Sequence, residues 1–329
     1  MKIFGEDYNR EDLLRYCNPA AVCGVRRVTV SHGRGKGQGL LEVKTASGLR
    51  ATLLEDKCLD ILDLEYKGVN LGFLSKNGLI NENHPETDSF FRFWQGGFLS
   101  TCGLRNVGPS CTTDGELHPL HGRIGLTPAE NVNVSVNNET ITITGVMRES
   151  ALYGHCMELE RTMEIPCDAS TITVKDVVRN LTPEEAPVFV LYHLNFGFPF
   201  LSESLKVDFP EGDVKGHTAE AQAIINDHAL FTAPADGIKE HVFLHTPKSE
   251  RPNVRLSNPR VGVTVDISYD SRQLPILAEW RCMRAGDYAL GIEPSTSGIK
   301  GREGELASGY NIKVPGFGTL EYGFTINIK

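Results

Sequence analysis

Residues 132–146, Val132-Asn133-Val134-Ser135-Val136-Asn137-Asn138-Glu139-Thr140-Ile141-Thr142-Ile143-Thr144-Gly145-Val146, form two alternating runs joined by three polar residues. Successive side chains of a strand point to opposite faces, so strict alternation of branched apolar and polar residues reads as a half-buried strand. Asn137-Asn138 tolerates the positive φ of a tight turn and makes the segment a β-hairpin. The same pattern recurs outward from this hairpin. Leu59–Tyr66 (LDILDLEY), Met157–Ile165 (MELERTMEI), Thr171–Val178, Pro187–His193, Val261–Tyr269, Ile276–Cys282, Tyr288–Ile292 and Thr319–Ile328 all read as strands. Helical spacing is visible only in Arg10–Cys17, with a short turn at Ala219–Asn226. Strands without intervening helices exclude a parallel βαβ sheet and its nucleotide-binding folds. The expected fold is therefore all-β: a large antiparallel β-sandwich, with the outer face of one sheet free to form a binding groove.

The chain has 329 residues, with 33 Lys+Arg against 42 Asp+Glu and a formal net charge of −9. That balance argues against nucleic-acid binding through a basic surface. The N-terminal stretch MKIFGEDYNREDLLRYC carries charges every few residues and lacks the apolar core of a secretory signal. Ala186–Leu201, the most apolar segment, is shorter than a membrane span and holds His193, Asn195 and two prolines. Eight cysteines without a CxxC pair read as reduced thiols. A cytoplasmic protein without nucleic-acid or membrane partners is expected, and a homodimer is left open. No linker divides the chain, so residues 1–329 are expected to form one sandwich domain, with 1–39 as an extension carrying a short helix and a Gly-rich loop.

The Gly-rich stretch Ser31–Gly39 (SHGRGKGQG) lacks the Gly-Lys-Ser/Thr ending of a P-loop, and Leu40–Ala46 after it reads as a strand. It is expected to be a hairpin or surface loop. Residues 97–125 are richer in chemistry, packing Cys102, Arg105, Asn106, Asp114, Glu116, His118, His121 and Arg123 among glycines. In the apolar run around residues 187–199, alternation sets His193 and Asn195 on one face. Near the C-terminus Trp280-Arg281 precedes an apolar strand that ends in Glu293-Pro294.

These segments resemble the galactose mutarotase (aldose 1-epimerase) superfamily, and more closely its aldose-1-epimerase-like bacterial branch, from about residue 40 to the end. The carriers are Leu120-His121-Gly122, His193-Leu194-Asn195-Phe196, Gly103-Leu104-Arg105-Asn106 and Leu290-Gly291-Ile292-Glu293-Pro294, together with the phrases LHGRIG, GLRNVG and LPILAEW. The His193 motif departs from the family's order and spacing, and the Arg105 motif is altered. The resemblance implies a cofactor-free isomerase acting on a monosaccharide or sugar derivative. A base takes the proton of the C1 hydroxyl and an acid protonates the ring oxygen, so the hemiacetal opens and recloses. It further implies Glu293 as base, His193 as acid and His121 as helper. Arg105, Asn106, Asn195, Trp280 and Arg281 would bind the sugar, with Trp94 as an alternative platform. Asp266 is the nearest candidate for the family's sugar-binding Asp. Arg281 and Arg284 raise the option of a phosphorylated or acidic sugar.

Two other readings stay open. Glu116, His118 and His121 form E-x-H-x-x-H and could hold a metal in a keto-sugar isomerase, although Pro119 interrupts their geometry. A non-catalytic sugar-binding protein would keep Arg105 and the aromatics without needing Glu293 or His193.

Overall fold

The computed structural model describes residues 1–3, 5–81, 90–113, 115–137 and 139–329. An eight-stranded antiparallel sheet runs in the order Glu130–Val136, Thr140–Ser150, Cys156–Pro166, Thr171–Asn180, Thr319–Ile328, Val263–Tyr269, Asn253–Asn258 and Lys206–Asp208. Against it stands a six-stranded antiparallel sheet in the order Gly212–Gly216, His241–Pro247, Ile276–Arg284, Asp287–Ser295, Phe189–Phe196 and Leu99–Leu104. A third sheet of five strands spans Gly24–Thr29 to Val69–Asn70. The chain thus forms the expected antiparallel β-sandwich.

Alternation does the work in the large sheet. Ile141, Ile143 and Met147, then Met157, Leu159 and Met163, then Ile172, Val174 and Val178 are buried, while the residues that alternate with this inward set face outward. Their core is continuous with Leu41, Val43 and Leu64 of the five-stranded sheet and with Tyr192, Leu194 and Ile292 of the six-stranded one. Each such apolar side chain removed from water contributes about 1.5–3 kcal/mol. One polar network crosses this core. The fully buried guanidinium of Arg161 donates to both oxygens of Asp176, to Asp60, to Thr101 Oγ1 and to the Cys58 carbonyl at 2.7–2.9 Å. Tyr192 donates to Asp176 at 2.8 Å. All three sheets are tied at this point.

The Gly-rich stretch closes the hairpin between Gly24–Thr29 and Gly39–Lys44, with Val30 N–H bonded to the Gln38 carbonyl at 3.0 Å. Because a strand follows it, it cannot cradle a phosphate at a helix N-terminus. Asn138 of the expected hairpin turn lies outside the described residues, but the pairing of Val136 with Ile141 fixes the hairpin itself. The helix at Arg10–Tyr16 carries a capping box between Asn9 and Asp12. The helix at Gly301–Ala307 was not expected: two glycines and no side-chain N-cap hide it in the sequence. It forms because its buried residues Arg302 and Glu305 dock on the six-stranded sheet's outer side. All eight cysteines are unpaired. Among the described residues no helix is long and apolar enough to cross a membrane.

Candidate active site

Phe189–Phe196 and Asp287–Ser295 are neighbours in the middle of the six-stranded sheet, and almost every residue of both is buried. Strands covered on both faces read as near-continuous apolar runs, as these do. The register Leu194↔Ile292 sets His193 opposite Glu293, and directly opposed residues share a face. That face is the outer one, since Leu191 beside His193 packs with Ala278 and Ile299 rather than with the inter-sheet core. His193 Nε2 lies 3.2 Å from Glu293 Oε1, without the alignment of a hydrogen bond. Gly291, two residues before Glu293, makes room for the carboxylate: a Cβ there would lie 2.2 Å from Glu293 Oε1 and 3.1 Å from His193 Cε1.

Aromatic rings wall the pair. Trp94 and Trp280 lie 5.6 and 5.4 Å from the His193 ring, and Phe90 stacks on Trp94 at 5.5 Å. His121 closes the third side, 6.0 Å from His193 and 5.6 Å from Phe90. It arrives on a turn, with φ of 59° at His121 and 75° at Gly122. A non-glycine residue in the left-handed region is uncommon and costs of order 1 kcal/mol or more, so its surroundings must hold it there. The holding bonds are His121 N–H to the Gly108 carbonyl and Gly103 N–H to the His121 carbonyl, both 3.0 Å. Gly108 N–H points at His121 Nδ1 at 3.4 Å. Neutral His121 would therefore carry its hydrogen on Nε2 and offer a donor. The cleft beside it is lined by Phe90, Trp94, Gly96, Ser100, Cys102 and His121.

Burial governs the charges here. It pushes the Glu293 carboxyl well above the usual range, and the negative charge of Glu240 adds to the push. Burial also lowers His193 to about 3, helped by nearby His121 and opposed by hydrogen bonding with Asn195. His121 falls to about 4 for the same reason. Burial thus favours the uncharged form of all three groups, a carboxyl and two imidazoles, with the acid and the base in contact.

The structure brings together Glu293, His193, His121 and Trp280, with Trp94 as a second indole. Asn195 shares their face, and its amide donates to the Gly97 and His193 carbonyls at 2.9 and 3.0 Å. Other expected residues lie elsewhere. Arg281 follows Trp280 on one strand and so points to the opposite face, where it donates to the Asp227 carbonyl at 3.2 Å. Arg284 is exposed at the strand's end. Asn106 is fully buried and holds loops together: its amide donates to the carbonyls of Gly108, Pro109 and Pro119 and its oxygen accepts from Arg302 N–H.

Arg105 pairs with Glu116 at 2.8 Å, in a separate cluster with Arg123, His118 and His155. Burial is the largest influence and works against the charge of Glu116, but the Arg105 hydrogen bond and the positive charge of Arg105, with His155 and His118, together outweigh it and keep that carboxyl below its ordinary value. The E-x-H-x-x-H trio is not assembled. His118 bonds Thr113 at 2.9 Å while His121 turns to the aromatic wall, so the three donors do not converge. Asp114 lies outside the described residues. Asp266 is in the eight-stranded sheet, bound to Arg255 at 2.7 Å and Lys329 at 3.3 Å. Sequence reading missed Phe90, Phe73 and Glu240, the last accepting from Trp280 Nε1 at 2.8 Å. The aromatic density of residues 90–94 (FFRFW) was the available signal for the first.

Comparison with known proteins agrees with this architecture. A protein of Klebsiella pneumoniae subsp. pneumoniae MGH 78578, provisionally named aldose 1-epimerase, superposes with a TM-score of 0.86 at 22% identity, covering 92% of this chain and 83% of its own. A galactose mutarotase-like protein of Clostridium acetobutylicum gives 0.66 at 15% identity over 94% of this chain and 99% of its own. Galactose 1-epimerase of Lactobacillus acidophilus NCFM gives 0.63 at 12% identity, with coverages of 93% and 99%. No curated protein matches the sequence. At these identities the likeness establishes the galactose mutarotase-like fold. The family model described as "Domain of unknown function (DUF4432)" matches residues 35–328, so the chain belongs to that family and carries it on a galactose mutarotase-like sandwich.

Proposed function

We propose that the protein is a carbohydrate mutarotase, an aldose 1-epimerase-like isomerase that interconverts the anomers of a monosaccharide or sugar derivative by acid–base ring opening. The observation that carries the reading is the contact of His193 Nε2 with Glu293 Oε1 at 3.2 Å in an aromatic-walled site. Opening needs one proton delivered to the ring oxygen and one taken from the C1 hydroxyl. The resting pair supplies both. The protonated Glu293 carboxyl gives its proton to the ring oxygen while neutral His193 accepts the C1 hydroxyl proton. The C1–ring oxygen bond breaks to an open-chain aldehyde, leaving an imidazolium beside a carboxylate. After rotation about C1–C2 the two protons return by the reverse path and either anomer forms. This inverts the resting roles that the family resemblance implies, because burial favours the proton on Glu293 over a charged His193. His121 Nε2–H would steady an oxygen of the sugar, and the Trp94 and Trp280 faces suit the apolar face of a pyranose.

Residues 1–329 would act as one domain around this centre, and eight unpaired thiols fit a cytoplasmic location. The test is proton NMR of anomer exchange over a panel of neutral, acidic and phosphorylated sugars, with and without EDTA. Exchange accelerated by the protein and indifferent to EDTA supports the proposal. No acceleration with any sugar, or new isomer peaks that EDTA abolishes, would overturn it.

A further inference from the structure

On the inner face of the six-stranded sheet, behind the acid–base centre, three metal-ligating side chains converge. Glu279, next to Trp280 in the chain, points opposite to it. His245 lies on the neighbouring strand, two residues beyond the Phe243↔Glu279 pair, and so shares that face. His228 reaches over from the short turn Ile225–Asp227. Glu279 Oε2 stands 2.8 Å from His228 Nδ1 and 3.0 Å from His245 Nε2, and the three ligand atoms all lie within 4.8 Å of one another. Among the described residues no other group of three His, Cys, Asp or Glu side chains comes together in this way.

Two further features point to an ion. The Glu279 and His245 side chains are 0% and 1% exposed, and each has a buried atom without a hydrogen-bond partner, Oε1 and Nδ1 respectively. A buried carboxylate with an unused oxygen requires positive charge close by. Arg281, on the same face, contributes at a distance, but its guanidinium donates to the Asp227 carbonyl. Phe209 stacks on His245 at 4.4 Å, and Phe243 and Phe209 flank His228 at 5.6 and 5.2 Å. These rings hold both imidazoles in a dry, fixed pose.

We infer that Glu279, His228 and His245 form a site for a divalent transition-metal ion of the zinc class, which clamps the His228 segment to the sheet. Two imidazoles and one carboxylate suit zinc, cobalt or ferrous iron, whereas magnesium and calcium prefer all-oxygen sets. Ligands at ~2.0–2.2 Å from a tetrahedral ion sit ~3.3–3.6 Å apart, so the two Glu279 contacts must lengthen by only about half an ångström to admit one. The fourth position would take water through the half-buried edge at His228.

The test uses the full chain after chelator dialysis, titrated with zinc, cobalt and magnesium chloride by calorimetry, thermal unfolding and, for cobalt, visible absorption. The expected results are one zinc per chain, a higher Tm with zinc, and cobalt d–d bands of a four- or five-coordinate site. His228→Ala, at the least buried ligand, should weaken zinc by about tenfold or more and erase the Tm shift. Glu279→Gln should do the same if it folds. No zinc or cobalt uptake by the wild type, equal affinity in His228→Ala, or magnesium binding as tightly as zinc would each overturn the assignment.

Discussion

Replacing Arg161 by Met tests the polar tie between the three sheets. The guanidinium makes five hydrogen bonds of 2.7–2.9 Å and is 0% exposed, as is the Asp176 side chain. Without it, Asp176 keeps only the Tyr192 hydroxyl, and Asp60 keeps Thr101 N–H and Oγ1. Removing one partner of a buried ion pair costs about 3–5 kcal/mol. The loss should depend on pH with a definite sign. Burial has already pushed Asp60 up to about 6 against the pull of Arg161, so losing the cation raises it further. Carboxyls raised in the folded state hold protons that the unfolded chain releases above ~4, and each such group loses ~1.4 kcal/mol of stability per pH unit up to its folded pKa. The destabilisation should therefore be about 2 kcal/mol larger at pH 8 than at pH 5. Equilibrium urea unfolding at both pH values, followed by the fluorescence of Trp94 and Trp280, reads it directly. A loss below about 1 kcal/mol, or one equal at the two pH values, would refute the assignment of a charge network that ties the sheets.

Gly291→Ala should fold but lose about a hundredfold or more in anomer exchange, because its Cβ displaces the Glu293 carboxylate; unchanged rates would show that the carboxylate is free to sit elsewhere. His193 and His121 should stay neutral in imidazole NMR from pH 8 down to pH 5; a midpoint near 6.5 for either would show that water reaches it. Since His193 is depressed in the folded state, the unfolded chain takes its proton first as pH falls below 6.5. Wild type should then lose up to ~1.4 kcal/mol per pH unit relative to His193→Gln in that window, and parallel pH curves would contradict this. Asn106→Ala should cost about 1–3 kcal/mol of stability by leaving the Pro109 carbonyl and the Arg302 N–H without their partner, seen as a lower urea midpoint; a change confined to KM would return Asn106 to the sugar.

The legible parts of the sequence are those where one physical rule acts alone. Alternation at Thr140–Val146, Met157–Ile165 and Thr171–Val178 marks strands with one buried face, and those strands pair in series. His193 and Asn195 on one face, and Glu293 closing an apolar strand, follow from the same rule, and the fold then sets the two strands side by side. Where a rule was not carried through, the reading went astray. Trp280 and Arg281 are consecutive, so only one of them can face the site. Arg105 and Asn106 are polar residues in a Gly-rich stretch, but composition does not tell a ligand contact from a loop tie, and neither the ion pair of Arg105 with Glu116 nor the bonds of Asn106 to Pro109 and Pro119 is legible there. The Gly301–Ala307 helix has poor local propensity and exists through tertiary docking, which no local window registers.

The most direct measurement of the central claim is kcat/KM for anomer exchange with the fastest sugar of the panel, in wild type and Glu293→Gln, alongside the sugar's Kd for each. The account predicts a loss of about 10²–10⁴ in kcat/KM with Kd changed only a few-fold, since the amide fills the same space and cannot pass a proton. Exchange at wild-type rate in Glu293→Gln would contradict it and remove the Glu293–His193 pair from the chemistry.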